Sequence, residues 1–202
     1  MSVEYWDQRY SHPNHVYGYR PNDFLRQQAL LLRPGSRVLC LADGEGRNGV
    51  WLAGQGHRVT SVDSSGVGVA KARALAAERG VGIDAHVGDI GDWVDTEAAV
   101  GPWDALVLIF AHLPLATRQR LVGALTPRMA DRGMLLLEEF TPGQLTLGSG
   151  GPTDASVLLT REQVLADWPG WRLDVRLVER RIFEGMAHQG LCSVVQVLGQ
   201  LG

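Results

Sequence analysis

The stretch Asp43-Gly44-Glu45-Gly46-Arg47-Asn48-Gly49 sets three glycines in GxGxxG spacing directly behind an apolar run, Ser36 to Ala42. Glycines at a strand-to-helix turn let a ligand approach the backbone, and the N-terminus of the next helix favours polar or anionic groups. The spacing alone also suits a tight turn that needs positive φ. Asp63 adds weight. It closes a second strand-like run, His57 to Asp63, about 17 residues beyond Gly46, near the ~20 expected of a carboxylate that grips a ribose. Its plainer role is to cap the next helix. A third run ends in Val87-Gly88-Asp89-Ile90, where Asp89 can take an adenine amino group and Ile90 can pack on the ring. An aspartate after a strand is also common in a bare turn. Together the loop and the acids favour an adenosine-containing cofactor, either a nicotinamide dinucleotide or S-adenosylmethionine.

These residues need strands and helices in alternation to hold them. Ser36 to Ala42 reads as a buried parallel strand and Gly46 to Gly56 as a helix. His57 to Asp63, Val81 to Val87, Trp103 to Phe110 and Gly133 to Phe140 read as further strands. A helix capped by Ser64-Ser65 runs to Gly80, and another spans Leu115 to Met129. Thr141 to Leu158 reads as a long loop, of the kind that is functional or mobile, and Thr160 to Trp168 as a short helix. Trp171 to Phe183 and Leu191 to Leu198 are joined too briefly for a helix, so they must pair antiparallel. The expected fold is α/β: one doubly wound, seven-stranded, Rossmann-like sheet, parallel except for a C-terminal hairpin. The whole chain is expected to form one domain.

Composition bounds the partners. The chain has 202 residues, a formal charge of −3, 45% hydrophobic and 20% charged residues, which suits one globular domain. It lacks the basic excess of a nucleic-acid binder. Two cysteines, Cys40 and Cys192, sit in apolar runs and read as buried free thiols of a reducing compartment, with no metal-ligand spacing. No apolar run approaches the ~20 residues of a membrane span, and the polar, aromatic N-terminus lacks a signal-peptide pattern. The expected location is cytoplasmic. The oligomeric state is left open.

The chain resembles the class I S-adenosylmethionine-dependent methyltransferases, and within them the small TehB-like and thiopurine-methyltransferase-like group. The resemblance rests on Tyr5-Trp6-Asp7-Gln8-Arg9-Tyr10, Tyr17-Gly18, Pro21-Asn22, Gly44-Glu45-Gly46-Arg47-Asn48, Val62-Asp63-Ser64, Gly88-Asp89, Gly150-Gly151-Pro152, Glu184-Gly185 and His188-Gln189-Gly190. It covers nearly the whole chain, too little of which remains to build the substrate domain of a dehydrogenase. It implies that Gly44 and Gly46 line the methionine part of S-adenosyl-L-methionine, that Asp43 and Asn48 also belong to the cofactor site, that Asp63 binds the ribose, and that Ser64, Asp89 and Ile90 meet the adenine. Phe110 and His112 would face the methyl-donor pocket. Trp6, Arg9, Tyr10 and Tyr17, within an N-terminal segment 1–22, would fold over as a lid, with Arg9 at the cofactor carboxylate. The family's acidic residue in the first strand and the glycine two places on are Cys40 and Ala42 here. Asp43 or Glu45 is the expected substitute.

The implied reaction is methyl transfer to a small molecule, with a soft sulfur, selenium or tellurium nucleophile as the preferred acceptor. Such a nucleophile needs no strong base, whereas an amine or hydroxyl does. The candidate bases are His112 and His188. A histidine in a loop is more often merely solvated or hydrogen-bonded. Two other readings stay open: a nicotinamide-dependent oxidoreductase, and a nucleotide-binding module without catalysis. Asp63→Ala is expected to cost cofactor affinity and to spare the fold.

Overall fold

Seven strands line up in the order β3-β2-β1-β4-β5-β7-β6 in the computed structural model, which describes residues 2–202. The strands are β1 (Arg37–Leu41), β2 (Arg58–Asp63), β3 (Asp84–Val87), β4 (Trp103–Ile109), β5 (Met129–Phe140), β6 (Trp171–Glu184) and β7 (His188–Leu201). The first five pair in parallel, whereas β7 runs antiparallel to both β5 and β6. The helices are α1 (Val3–Tyr10), α2 (Asp23–Gln28), α3 (Arg47–Gly54), α4 (Gly66–Glu78), α5 (Ile90–Trp93), α6 (Leu115–Leu125) and α7 (Arg161–Asp167). This is the Rossmann-like arrangement that the alternation of the sequence predicts.

Side chains on a strand alternate between faces, and the apolar residues divide accordingly. Leu39, Leu41, Leu106, Leu108, Leu135 and Leu137 join Trp93, Leu121, Leu125 and Trp168 in one core. Val38, Cys40, Ala105, Val107 and Leu136 join Phe24, Leu25 and Leu52 in the other. Central strands covered on both faces must be apolar throughout, and burying each of these leucines contributes about 1.5–3 kcal/mol. Both cysteines lie buried as free thiols in the second core.

Several expected boundaries move. The helix from Leu115 stops at Leu125, where a 3-10 turn carrying Pro127 takes over and the proline cannot continue the α-helical ladder. Strand β5 therefore begins at Met129 rather than Gly133, with a register shift opposite Trp103 and Ala105 and with Arg132 at φ 58°. Strand β3 begins only at Asp84. The long loop from Thr141 folds into two 3-10 turns. Buried Gln144 pins it, donating to Ser149 Oγ and Gly150 O while accepting from the Ser193 N–H. Among the described residues no helix is long and apolar enough to cross a membrane.

The chain leaves β1 for β2 on one side, while β4 lies on the other. That reversal opens a crevice beyond the carboxyl ends of β1 and β4, where ligands bind in sheets of this kind.

Candidate active site

Two adjoining cavities occupy this crevice. The outer one, of about 190 Å³, is bordered by Asp63, Ser64, Asp89, Ile90, Leu113 and Thr117. The inner one, of about 40 Å³, is bordered by Gly44, Asn48, Tyr17 and His188. Trp6, Tyr10, Ala42, Phe110 and His112 border both, so they mark the passage between them.

The strands deliver these residues at a backbone cost. Ala42 (φ 54°), Phe110 (φ 54°) and His112 (φ 52°) all adopt the left-handed conformation just past β1 and β4. Strain of this sort, about 1–3 kcal/mol per residue, collects at functional sites. Ala42 stands where the resembled family has glycine, and the backbone there retains the shape that glycine adopts freely. Ala42→Gly is accordingly expected to stabilise the protein by up to ~1 kcal/mol, the relieved strain exceeding the ~0.4–1 kcal/mol that glycine adds to the entropy of the unfolded chain. A urea midpoint at or below that of the wild type would contradict this.

The three glycines do different work. Only Gly44 turns a bare face to the cavity, where an added Cβ would lie 2.5 Å from the Tyr10 hydroxyl. At Gly46 it would strike Ala72 of α4, at 2.6 Å, and at Gly49 it would strike the Asp43 carboxylate. Gly46 borders neither cavity; it lets α3 and α4 approach. Asp43, on the wall of the inner cavity, turns its carboxylate into the protein. There it accepts both the Gly49 N–H, at 3.2 Å to each oxygen, and the Ser61 hydroxyl at 3.0 Å. Burial pushes its pKa up to about 7, although the Ser61 and Gly49 hydrogen bonds work the other way. Cys40 lies inside the core and reaches no cavity.

Asp63 is buried, with Oδ2 accepting the Gly44 N–H and Oδ1 the Ser65 N–H, each at 2.8 Å. One carboxylate thus fixes the glycine loop and the start of α4 together. Burial raises its pKa against the pull of those two bonds. The expectation that Asp63→Ala spares the fold is therefore corrected, since the carboxylate is buried and tethers two backbone N–H groups. Asp89 caps α5 through Oδ1, which accepts from the Gly91 and Asp92 N–H groups. Its Oδ2 makes no hydrogen bond among the described residues and remains available beside Ile90.

The N-terminal segment crosses the crevice as a strap. Trp6 stacks on Tyr10, and buried Tyr10 reaches Gly44. Asp7 accepts from the Ser65 hydroxyl at 2.5 Å, the Val16 N–H donates to Glu45 at 2.7 Å, and Lys71 donates to the His12 and Asn14 carbonyls. Arg9 is not brought to either cavity. Its Nε donates to the Tyr17 hydroxyl at 2.8 Å, so it braces Tyr17 from outside.

The histidines lie deeper. Phe110 stacks on Phe140 at 4.4 Å, and both rings flank His112 and His188. The His112 N–H donates to Glu139 Oε2 at 2.8 Å. Glu139 Oε1 comes within 2.7 Å of His112 Nδ1, but out of line for a hydrogen bond. His188 is buried, and burial lowers its pKa. The sequence reading gave no role to its neighbours Glu184 and Arg47. Glu184 was in principle legible, because residues flanking a hairpin turn are cross-strand partners on one face, as Glu184 and His188 are. Among the described residues no group of three His, Cys, Asp or Glu side chains is placed to hold a metal ion.

Residues 38–133 match the family described as Methyltransferase domain. A thiopurine S-methyltransferase of Bordetella petrii is 31% identical, over 72% of this chain and 74% of that protein. The chain belongs to the class I S-adenosylmethionine-dependent methyltransferases, in the thiopurine-methyltransferase group. Among solved structures, this methyltransferase superposes on TehB from Haemophilus influenzae with a TM-score of 0.70 at 16% identity, covering 99% of this chain and 67% of that one. A structure reported for conversion of a disulfide bond into a thioacetal group during echinomycin biosynthesis gives a TM-score of 0.73 at 20% identity, covering 98% and 90%. The methyltransferase cofactor suits the residues present. The free Oδ2 of Asp89 and the apolar Ile90 are what an adenine amino group and an adenine ring require.

Proposed function

We propose that this enzyme methylates a small molecule held in the inner cavity, with the cofactor's adenosine in the outer one. The carrying observation is the pair of cavities joined at Ala42, Phe110 and His112. The inner cavity, about 40 Å³, is narrow and bordered by Trp6, Tyr10 and Tyr17 of the N-terminal segment. With the strap closed, it favours a compact acceptor over a polymer. Asp63 and Ser64 would hold the ribose side, Asp89 and Ile90 the adenine, and Gly44, Asn48 and Tyr10 the methionine end. When bound, S-adenosylmethionine supplies a methyl group activated by its sulfonium. The chain's own contribution is to orient the acceptor, to exclude water beneath Trp6, Tyr10 and Tyr17, and to offer His188 or His112 as a base. A soft sulfur acceptor fits best, because its attack demands least of a buried, weakly basic histidine.

The strap must open for ligands to pass, since Tyr10 lies directly on Gly44. Residues 1–22 therefore serve as the lid. One titration tests both statements. S-adenosylhomocysteine is expected to raise the melting temperature, because it binds only the native state, and to slow hydrogen exchange from Tyr5 to Tyr19. Stabilisation by NAD in its place would overturn the cofactor assignment. Exchange over Tyr5 to Tyr19 already fully suppressed without ligand would make the segment ordinary packing.

A further inference from the structure

Arg47 belongs to the glycine loop, yet its guanidinium turns toward the terminal hairpin. Its Nη2 donates to Glu184 Oε2 at 2.6 Å, with the two side chains only 8% and 9% exposed. The other oxygen, Glu184 Oε1, accepts from Asn22 Nδ2 at 3.0 Å. The carboxylate is thus gripped from α3 and from the N-terminal segment. His188 Nδ1 lies 3.5 Å from Glu184 Oε2, a long contact of the sort that tightens when ligand binds. The imidazole is fixed on its remaining sides by Tyr17 at 4.7 Å, Phe110 at 5.0 Å and Phe140 at 5.2 Å. Gly150 passes so close that an added Cβ would lie 2.9 Å from His188 Cδ2 and would strike the Ala187 carbonyl. His188 Nε2 makes no hydrogen bond among the described residues, and the ring borders the inner cavity.

We propose that Arg47 and Glu184 are positioning residues for His188, holding it as the Nδ1–H tautomer so that Nε2 takes the proton of the methyl acceptor. The proposal rests on the methyltransferase reading and adds a substrate property: the acceptor enters with its proton, as a thiol does, and not as a preformed oxyanion. In the proton step the acceptor's S–H bond breaks, the electron pair stays on sulfur, and the proton forms a bond to Nε2. His188 becomes imidazolium and later returns the proton to solvent, so the base is regenerated. Glu184, ionised at neutral pH, stabilises that imidazolium from the Nδ1 side. Burial works to raise the pKa of Glu184, but the Arg47 guanidinium and the hydrogen bonds from His188 and Arg47 outweigh it and hold the carboxyl at about 2. The titratable and charged groups facing His188 are Glu184 from β6, Arg47 from α3, His112 beyond β4 and Tyr17 from the N-terminal segment. Arg47 and His112 oppose a positive charge on His188, so the imidazolium gives its proton up again.

Long-range nitrogen–proton NMR on the wild-type apoprotein reads the tautomer directly, the His188 signals being assigned by their loss in His188→Gln. The Nδ1–H form is expected to dominate at pH 8; a dominant Nε2–H form would overturn the proposal. In Glu184→Gln the ring is expected to titrate about one pH unit lower and to mix tautomers. In Arg47→Met it should titrate higher, with Arg47→Lys restoring most of the wild-type value. An unchanged midpoint in both Glu184→Gln and Arg47→Met would remove the positioning role. If those variants do not fold, the wild-type spectrum still decides. None of these readings requires methyl transfer, so failure of S-adenosylhomocysteine to bind would indict the functional reading separately.

Discussion

Asp43→Asn is expected to be more stable than the wild type at pH 8 and nearly as stable as it near pH 4. Asp43 is buried, and burial lifts its pKa from the ordinary 3.8 to about 7. Between those values the native state holds a proton that the unfolded chain has lost. Wild-type stability therefore falls as pH rises through that window, by about 1.4 kcal/mol per pH unit for one group. The ceiling is about 4 kcal/mol, reached above roughly pH 7. Asparagine keeps the geometry: its carbonyl accepts the Gly49 N–H and its amide donates to the Ser61 hydroxyl. It also removes the carboxylate that the like charge of Asp63 disfavours. Urea midpoints at pH 4.5 and pH 8 check this. A parallel fall in variant and wild type would show that Asp43 is not the titrating group. Affinity for S-adenosylhomocysteine should change little, because the Asp43 carboxylate points into the protein.

The depression of the Glu184 pKa to about 2 acts in a separate window. Its stabilisation is fully present above its unfolded value of 4.5 and is lost as pH falls toward 2. It therefore does not mask the Asp43 effect above pH 4.5.

What the sequence disclosed, and what it withheld, follows the range of the interactions. The strand ends that carry Asp63, Asp89, Phe110 and His112 were legible because alternation and turn residues are local. The hairpin was legible because Glu184 to Gly190 is too short for a crossover. The roles of the glycines were not, since Gly46 answers to Ala72 of α4 and no local pattern announces a helix packed that closely. Arg47 and Glu184 stand 137 residues apart, and only the sheet order, which sets β7 beside β5 and β6 beyond it, brings them together. Arg9 matched the resembled family in type, yet the helical turn that places Tyr10 on Gly44 carries Arg9 outward to Tyr17. The left-handed backbone at Ala42 and His112 was hidden for a related reason. Alanine does not favour it and histidine adopts it only in a minority of cases, so its presence is imposed by the strands that end there.

Asp63→Ala is expected to impair the fold and the cofactor site together. Two buried N–H groups, those of Gly44 and Ser65, donate to this carboxylate at 2.8 Å each. Alanine leaves both without a partner, at about 1–3 kcal/mol per group, offset in part by the relief of a buried charge. The net loss is expected to be about 2–4 kcal/mol, a large fraction of the ~5–15 kcal/mol that holds a domain folded. The glycine loop loses its tether to β2, so the surviving folded protein should bind S-adenosylhomocysteine at least tenfold more weakly, which corresponds to ~1.4 kcal/mol. Asparagine separates the terms. It removes the charge and accepts one N–H but turns its amide toward the other, so Asp63→Asn should fall between wild type and alanine in urea midpoint. Calorimetry on the folded fraction supplies the affinity. Unchanged stability with weakened binding would make Asp63 a ligand contact alone. Lost stability with unchanged affinity would make it a structural tether alone. Both losses together are what a single carboxylate spanning the loop, the start of α4 and the wall of the outer cavity requires.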